Sequence, residues 1–254
     1  MQICTLASGS KGNSIYISNG DTAILIDAGL SGVEIERRLK SKNIPIASID
    51  AIVVSHEHAD HIQGVGVLSR RYNLPVYLSP QTNDAASAQL GKISQIRHFC
   101  CGMEFSINTL TVRPFSISHD ASDPSGFTIG SNGKKIGIAT DLGIATAMVK
   151  SHLKDCRCLV LEANHDLRML EQGPYPWPLK QRIKGRTGHL SNESSRELFM
   201  ELLHENLSHV ILGHLSETNN TPEIALRVVT EHLTDTRINI TVAGQTTAGP
   251  IIHL

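Results

Sequence analysis

Aromatic side chains are scarce in this 254-residue chain, with one Trp, four Tyr and five Phe. A core short of rings has to be built on Ile, Leu, Val and Ala, and the 40% hydrophobic content supplies them. Excess charge is scarce too. Lys and Arg number 23 against 24 Asp and Glu, so the chain cannot hold nucleic acid by an overall basic surface, although a local basic groove remains open. No apolar run approaches the roughly 20 residues needed to span a bilayer. The N-terminal Met1-Gln2-Ile3-Cys4-Thr5 lacks the charged and apolar regions of a signal peptide. Cys4, Cys100, Cys101, Cys156 and Cys158 form no C-x-x-C pair, and their odd number suits reduced thiols. A cytoplasmic protein without membrane association is expected. Long linkers, low-complexity tracts and repeats are absent as well, so one domain over residues 1–254 is expected.

What the chain has in excess is histidine: thirteen copies, more than Tyr and Phe together. Around them, period-2 apolar runs predict strands at 2–7, 14–18, 22–27 and 51–54, then at 76–78, 105–107, 110–118, 126–131 and 134–140. Further strands are expected at 158–162, 210–212 and 239–242. Asn19-Gly20-Asp21 and Asn132-Gly133 are hairpin turn signals. Ser31 caps an expected helix reaching about residue 42, with Ile35 and Leu39 on one face. Helices are also expected at 63–72, 192–204 and 221–234, the last helped by Pro222 at its first position. Strands come first and mixed strands and helices follow, twice over. That order fits an α/β sandwich of two sheets with helices on the outer faces.

His56-Glu57-His58-Ala59-Asp60-His61 places three imidazoles and two carboxylates in six residues, directly after a short buried strand. Imidazole with carboxylate suits zinc, and also manganese or iron. In an extended segment His56 and His58 point the same way, while Asp60 and His61 turn to a second site. The spacing therefore favours two adjacent metals. His119, Asp141 and His214 each follow an apolar run and complete a two-metal set. A solvated polar loop is the bland alternative, but three histidines in this spacing after a strand rarely arise without a metal.

Asp27, the 56–61 cluster, His119, Asp141 and His214 resemble, in order, the metal motifs of the metallo-β-lactamase superfamily. The resemblance spans essentially the whole chain and implies a four-layer αβ/βα sandwich with metals at the mouth between two sheets. It implies that His56, His58 and His119 hold one ion, that Asp60, His61 and His214 hold the other, and that Asp141 bridges them. Asp27 would brace the histidine loop and need not be a ligand. Two divalent ions about 3.5–4 Å apart share a water and lower its pKa, which makes it a nucleophile. Zinc or manganese is expected, with magnesium or iron also compatible. This chemistry suits phosphodiesters, thioesters and lactams alike.

Other residues narrow the substrate. Glu162 ends an expected strand, and His189 lies in Gly188-His189-Leu190-Ser191 before a helix. A histidine oriented by a carboxylate is a good proton donor to a leaving alkoxide. The pair resembles the Glu and His-x-Thr/Ser of tRNase Z and its phosphodiesterase relatives, with His189 as general acid, Glu162 as its partner and Asp60 at the reacting centre. A plain loop histidine at a helix start is the weaker alternative. Arg168, Trp177, Lys180, Arg182, Lys184 and Arg186 follow one another, and residues 179–188 contain no acid. Such cations neutralise phosphates and such rings stack on bases, although short basic runs are common on surfaces. Lys11, in a Gly- and Ser-rich loop without a P-loop pattern, is a weaker candidate for a phosphate contact.

The segments Ala7-Ser8-Gly9-Ser10-Lys11-Gly12-Asn13-Ser14, Ser118-His119-Asp120-Ala121, Asn164-His165-Asp166, Gly173-Pro174-Tyr175-Pro176-Trp177-Pro178-Leu179-Lys180-Gln181-Arg182 and Gly213-His214-Leu215-Ser216 resemble the YycJ/WalJ (VicX) family. That resemblance implies a bacterial 5′-to-3′ DNA exonuclease acting on DNA ends. His165 becomes a further candidate near the metals or the scissile phosphate. The chain has no room for the inserted domain of RNase J and no glycine-rich arm like that of tRNase Z. Two other readings are open: a small-molecule hydrolase, such as a glyoxalase II-like thioesterase or a cyclic-nucleotide phosphodiesterase, and a regulatory binding protein without turnover. No protein partner is readable from the sequence.

Overall fold

The computed structural model describes residues 1–234 and 236–254. Seven strands form a first sheet: β1 (Gln2–Ala7), β2 (Ser14–Ser18), β3 (Ala23–Ile26), β4 (Ala51–Val53), β5 (Val76–Leu78), β6 (Ile96–His98) and β14 (Ile252–His253), in the order β14-β1-β2-β3-β4-β5-β6. A second sheet holds β7 (Phe105–Ile107), β8 (Leu110–Ser116), β9 (Ser125–Ser131), β10 (Lys134–Ala139), β11 (Cys158–Glu162), β12 (His209–Gly213) and β13 (Asn239–Val242), in the order β13-β12-β11-β10-β9-β8-β7. Each sheet has an antiparallel half and a parallel half. β3 through β6 run parallel, and so do β10 through β13.

Alternation along the strands explains the layering. Ile3, Ile15, Ile17, Ile24, Ile26 and Val53 from the first sheet share a core with Val112, Phe127, Ile129, Ile136, Ile138, Val160 and Ile211 from the second. The intervening Cys4, Leu6, Tyr16 and Leu25 face the other way, against Ile35, Leu39, Val65 and Leu68 of the covering helices. Strands covered on both faces read as nearly continuous apolar runs, which is how β3 and β11 appear in the sequence. On the second sheet, α5 (Ala147–Leu153), α8 (Asn192–Glu201) and α9 (Pro222–Thr230) form the outer layer over Leu159, Leu161 and Val210. The result is the helix–sheet–sheet–helix sandwich expected.

Capping residues place several helices. Ser31 accepts from the Glu34 amide to start α1 (Gly32–Ser41), and Ser191 and Thr221 do the same for α8 and α9. The helix expected at 63–72 is α3 (Val65–Tyr72), and an unexpected single turn, α2 (Ala59–Ile62), precedes it inside the histidine cluster. The break falls at Gly64, whose amide donates to the Ala28 carbonyl at 2.7 Å and where a β-carbon would lie 2.3 Å from the Leu30 oxygen. The helix expected to reach residue 204 stops at Glu201, and His204 turns its Nε2 to the Cys156 carbonyl at 3.0 Å. The helix expected to reach residue 234 ends at Thr230. Four more helices went unforeseen, namely α4 (Pro80–Leu90), α5, α6 (Leu167–Gln172) and α7 (Trp177–Lys184). No helix of the described residues is long and apolar enough to cross a membrane.

Candidate metal centre

The parallel strands bring their C-terminal ends to one rim, the usual place for chemistry on α/β sheets. Asp27 follows β3, His56 lies just beyond β4, Asp141 beyond β10 and His214 directly after β12, while Glu162 is the last residue of β11. Asp27, Asp141 and His214 have φ of 59°, 56° and 55°. Left-handed backbone at a residue other than glycine costs on the order of 1–3 kcal/mol and persists where the surroundings enforce it. Here it turns each side chain off the strand direction into the rim.

His56 Nε2 lies 3.1 Å from His58 Nδ1, and His119 Nε2 lies 3.3 Å from the same atom. On the other side, His61 Nε2 is 3.6 Å from Asp60 Oδ2, and His214 Nε2 is 3.8 Å from that oxygen. Asp141 sits between the two groups. Its Oδ2 is 3.3 Å from His61 Nε2, and its Oδ1 is 3.4 Å from His214 Nδ1 and 3.8 Å from His119 Nε2. Four sets among the described residues, His56–His58–His119, His56–His61–Asp141, Asp60–His61–His214 and Asp141–Glu162–His189–His214, each bring their ligand atoms within 4.8 Å of one another. This is a donor set for divalent cations.

The outward nitrogens are already engaged, which fixes the inward ones. Ser55 Oγ donates to Asp27 Oδ2 at 2.8 Å and so accepts from His56 Nδ1 at 2.9 Å. His61 Nδ1 donates to Asp27 Oδ2 at 2.8 Å, and His214 Nδ1 to Glu162 Oε1 at 2.8 Å. His119 Nδ1 faces the Gly188 carbonyl at 3.3 Å. The tautomers follow from these partners. Asp141 Oδ2 and His214 Nε2 are buried and make no hydrogen bond. Buried polar atoms without partners are costly, and here they are donor atoms aimed at the shared space, so the residues fit a metal. Asp27 braces His61 and the Ser55 backbone instead of facing that space.

Glu162 is fully buried, and its four bonds link two roles. Oε1 accepts from both His189 Nδ1 and His214 Nδ1 at 2.8 Å, and Oε2 accepts from the Leu142 and Leu190 amides. Burial opposes its charge, but His189 and His214 outweigh burial and hold its carboxyl down at about 2. Burial likewise opposes charge on His189, and the Glu162 carboxylate nonetheless raises that imidazole above its ordinary value. For Asp141, burial is overcome by His214 and His61, which hold it well below the carboxylate range. Burial, followed by its neighbouring histidines, pushes His56 well down, and burial pushes His119 down.

The residues expected to bind substrate are distributed unevenly. Residues 177–184 form helix α7, which buries no side chain and starts with Pro176 and Pro178 in the positions that tolerate proline. Trp177 is 68% exposed at its start. Arg182 is not a free cation: Nε and Nη2 both meet Asp120 Oδ2 at 2.6 Å. Asp120 Oδ1 in turn lies 3.4 Å from His119 Nε2, which ties α7 to the metal rim. A cavity of about 120 Å³ lies between α7 and the rim, lined by Asp120, Leu179, Arg182, Ile183, Gly188 and His189. Lys180 donates to the Glu171 carbonyl, Lys184 and Arg186 are exposed, and Lys11 pairs with Glu217 at 2.8 Å.

Arg168 lies elsewhere, beside Asp166, Glu193, Arg227 and Glu231 in a cleft lined by none of the ligand candidates. His165 is 1% exposed, its Nδ1 faces Asn164 Oδ1 at 3.3 Å, and burial pushes it down to about 4. It belongs to none of the ligand sets among the described residues. Sequence reasoning missed Ser55, Asn13 and Asp120. Ser55 carried no signal beyond adjoining His56, whereas Asp120 and Asn13 lie in segments that carried the family resemblance without being singled out.

The profile of the β-lactamase superfamily domain matches residues 22–214. The chain belongs to the metallo-β-lactamase superfamily, in its YycJ/WalJ branch. Within that branch it is similar to exodeoxyribonuclease YycJ of Bacillus anthracis, 37% identical over 235 residues, 92% of this chain and 89% of that one. Exodeoxyribonuclease WalJ of Streptococcus pneumoniae is 37% identical over 239 residues, with 92% and 89% covered. The superfamily fold recurs in the solved structure of YhfI from Bacillus subtilis, with a TM-score of 0.76 at 14% identity, covering 98% of each chain.

Proposed function

We propose that this metallo-β-lactamase-fold hydrolase is a 5′-to-3′ exodeoxyribonuclease working with two divalent ions, zinc or manganese. The convergence of the bare nitrogens and carboxylates of residues 56–61, His119, Asp141 and His214, with the Glu162–His189 pair beside them, carries the reading. The YycJ and WalJ relatives, named as exodeoxyribonucleases, support the substrate class. His56, His58 and His119 would hold one ion, Asp60, His61 and His214 the other, and Asp141 both. Bound there, the ions would activate a water and neutralise phosphate oxygens.

The rest falls to side chains. His189, held by Glu162 and lining the cavity under α7, donates a proton to the leaving 3′ oxygen. Asp60 and Asp141 keep negative charge at the centre. Helix α7 supplies Lys180, Arg182 and Lys184, and the turn after it Arg186, to the phosphate backbone, and Trp177 to a base. The free thiols suit a cytoplasmic setting.

The test is digestion of end-labelled single- and double-stranded DNA, with and without a 5′-phosphate, in Mn²⁺ or Zn²⁺, with His58→Ala as control. Stepwise loss from the 5′ end, absent in the control, is expected. Thioester or cyclic-nucleotide cleavage without DNA digestion would replace this reading by a small-molecule hydrolase. Changing Lys180, Arg182, Lys184 and Arg186 together to Gln should weaken binding of long oligonucleotides and flatten its salt dependence by up to about 0.7–0.9 in slope per lost phosphate contact. Unchanged binding would mean that α7 does not face the substrate.

A further inference from the structure

In the Gly-rich loop between β1 and β2, Lys11 points outward to Glu217, whereas Ser8 and Asn13 are buried at 3% and 6% exposure. We propose that Ser8 and Asn13 are positioning residues for one metal of the pair, holding its ligands Asp60 and His214 in register from a single loop. The inference rests on the two-metal reading above and assigns a task to a loop outside the ligand set.

The Asn13 amide is oriented by its own loop. Oδ1 accepts from the Gly9 amide at 2.8 Å, and Nδ2 donates to the Gly9 carbonyl at 3.1 Å. So oriented, Nδ2 also reaches Asp60 Oδ2 at 3.1 Å and lies 3.0 Å from His61 Nε2. The backbone reinforces this contact. The Asn13 amide donates to the Asp60 carbonyl at 2.7 Å, and its carbonyl accepts from Gly29 at 2.8 Å. Only a glycine fits at 29, since a β-carbon there would lie 1.6 Å from the Asp60 oxygen.

Five residues earlier, the same loop touches the other sheet. Ser8 Oγ accepts from the His214 amide at 2.7 Å, at a residue whose φ is positive, and the Ser8 amide donates to the Gly244 carbonyl at 3.1 Å. One loop therefore joins the ligand loop of the first sheet to that of the second. The other triad is oriented differently: His56 is held by Ser55, and His119 faces the Gly188 carbonyl. Loss of the loop contacts should fall on one metal and spare the other.

The experiment is a calorimetric titration of the metal-stripped full chain with Zn²⁺, paired with Co²⁺ absorbance. Wild type should take up two equivalents. Asn13→Ala should keep one at wild-type affinity and bind the other about 10–100-fold more weakly. Ser8→Ala should weaken that same equivalent, whereas the exposed neighbour Ser10→Ala should change neither. Excess Mn²⁺ should restore turnover to Asn13→Ala but not to Asp60→Ala. Two equivalents at wild-type affinity in both Asn13→Ala and Ser8→Ala, or equal weakening of both classes, overturns the assignment. If Asn13→Ala does not fold, Ser8→Ala alone decides by the same criterion. A wild-type chain that takes up one equivalent overturns the two-metal reading itself.

Discussion

Asp141→Asn is expected to reduce DNA hydrolysis to the level seen without metal, while the chain remains folded. Asp141 is the carboxylate whose oxygens reach both groups of ligands, and its Oδ2 has no hydrogen bond to lose. Asparagine keeps the shape and tolerates the positive φ, whereas alanine there adds about 1–2 kcal/mol of backbone strain. The change removes a charge that the proposed metal pair would need, and a neutral amide would not replace it as a bridge. Removing one partner from a buried polar cluster costs the fold only on the order of 1–3 kcal/mol. Metal content by mass spectrometry, thermal unfolding and end-labelled DNA digestion separate these effects. His214→Asn should behave in the same way. Turnover near wild type in either variant removes that residue from the ligand set.

His189→Ala should lower kcat on DNA by about 10²–10⁴-fold with both metals retained, the range expected for a lost general acid. The loss should be much smaller on bis(p-nitrophenyl) phosphate, because its leaving group departs without protonation. Equal losses on both substrates would make His189 a binding or structural residue. The pH profile adds a second reading. As the proposed general acid His189 would act in its protonated form, and Glu162 raises its pKa above the ordinary 6.5 against the effect of burial. Activity should therefore persist past that value, and the alkaline limb should fall as pH rises through the raised pKa. Glu162→Gln removes the charge that raises it, so the limb should move to lower pH. Glu162 also orients His214, so metal content must be measured in the same variant.

The ligand candidates were legible because imidazoles and carboxylates past strand ends have few other reasons to occur together. Strand positions were legible for the same kind of reason: β5, β7, β11 and β13 have the limits that alternation and turn signals predict. Helices such as α6 and α7 were not, since short, exposed segments bury no apolar stripe from which a period could be read. The basic run looked like a row of free cations. Arg182 is in fact tied to Asp120, 62 residues away in sequence, a pairing that no local pattern announces. Arg168 was grouped with the substrate contacts by proximity in sequence and His165 by the Asn164-His165-Asp166 resemblance; Arg168 lines a separate cleft, and His165 is buried with its Nδ1 against Asn164 Oδ1.

The sequence by itself determined which atoms are available: three histidines beside Asp60 on one turn, and Asp27, His119, Asp141 and His214 spaced to reach strand ends. It also determined the layering, because β-branched residues alternate along strands covered on both faces. Only the tertiary structure decided which nitrogen of each imidazole faces inward. That choice is made by hydrogen bonds from distant segments, such as Asp27 to His61 and Glu162 to His214. It decided as well that one carboxylate, Glu162, serves a metal-ligand candidate and the proposed acid together. Contacts of this kind depend on where two sheets bring their rims, which is a property of long-range packing and leaves no period in the chain.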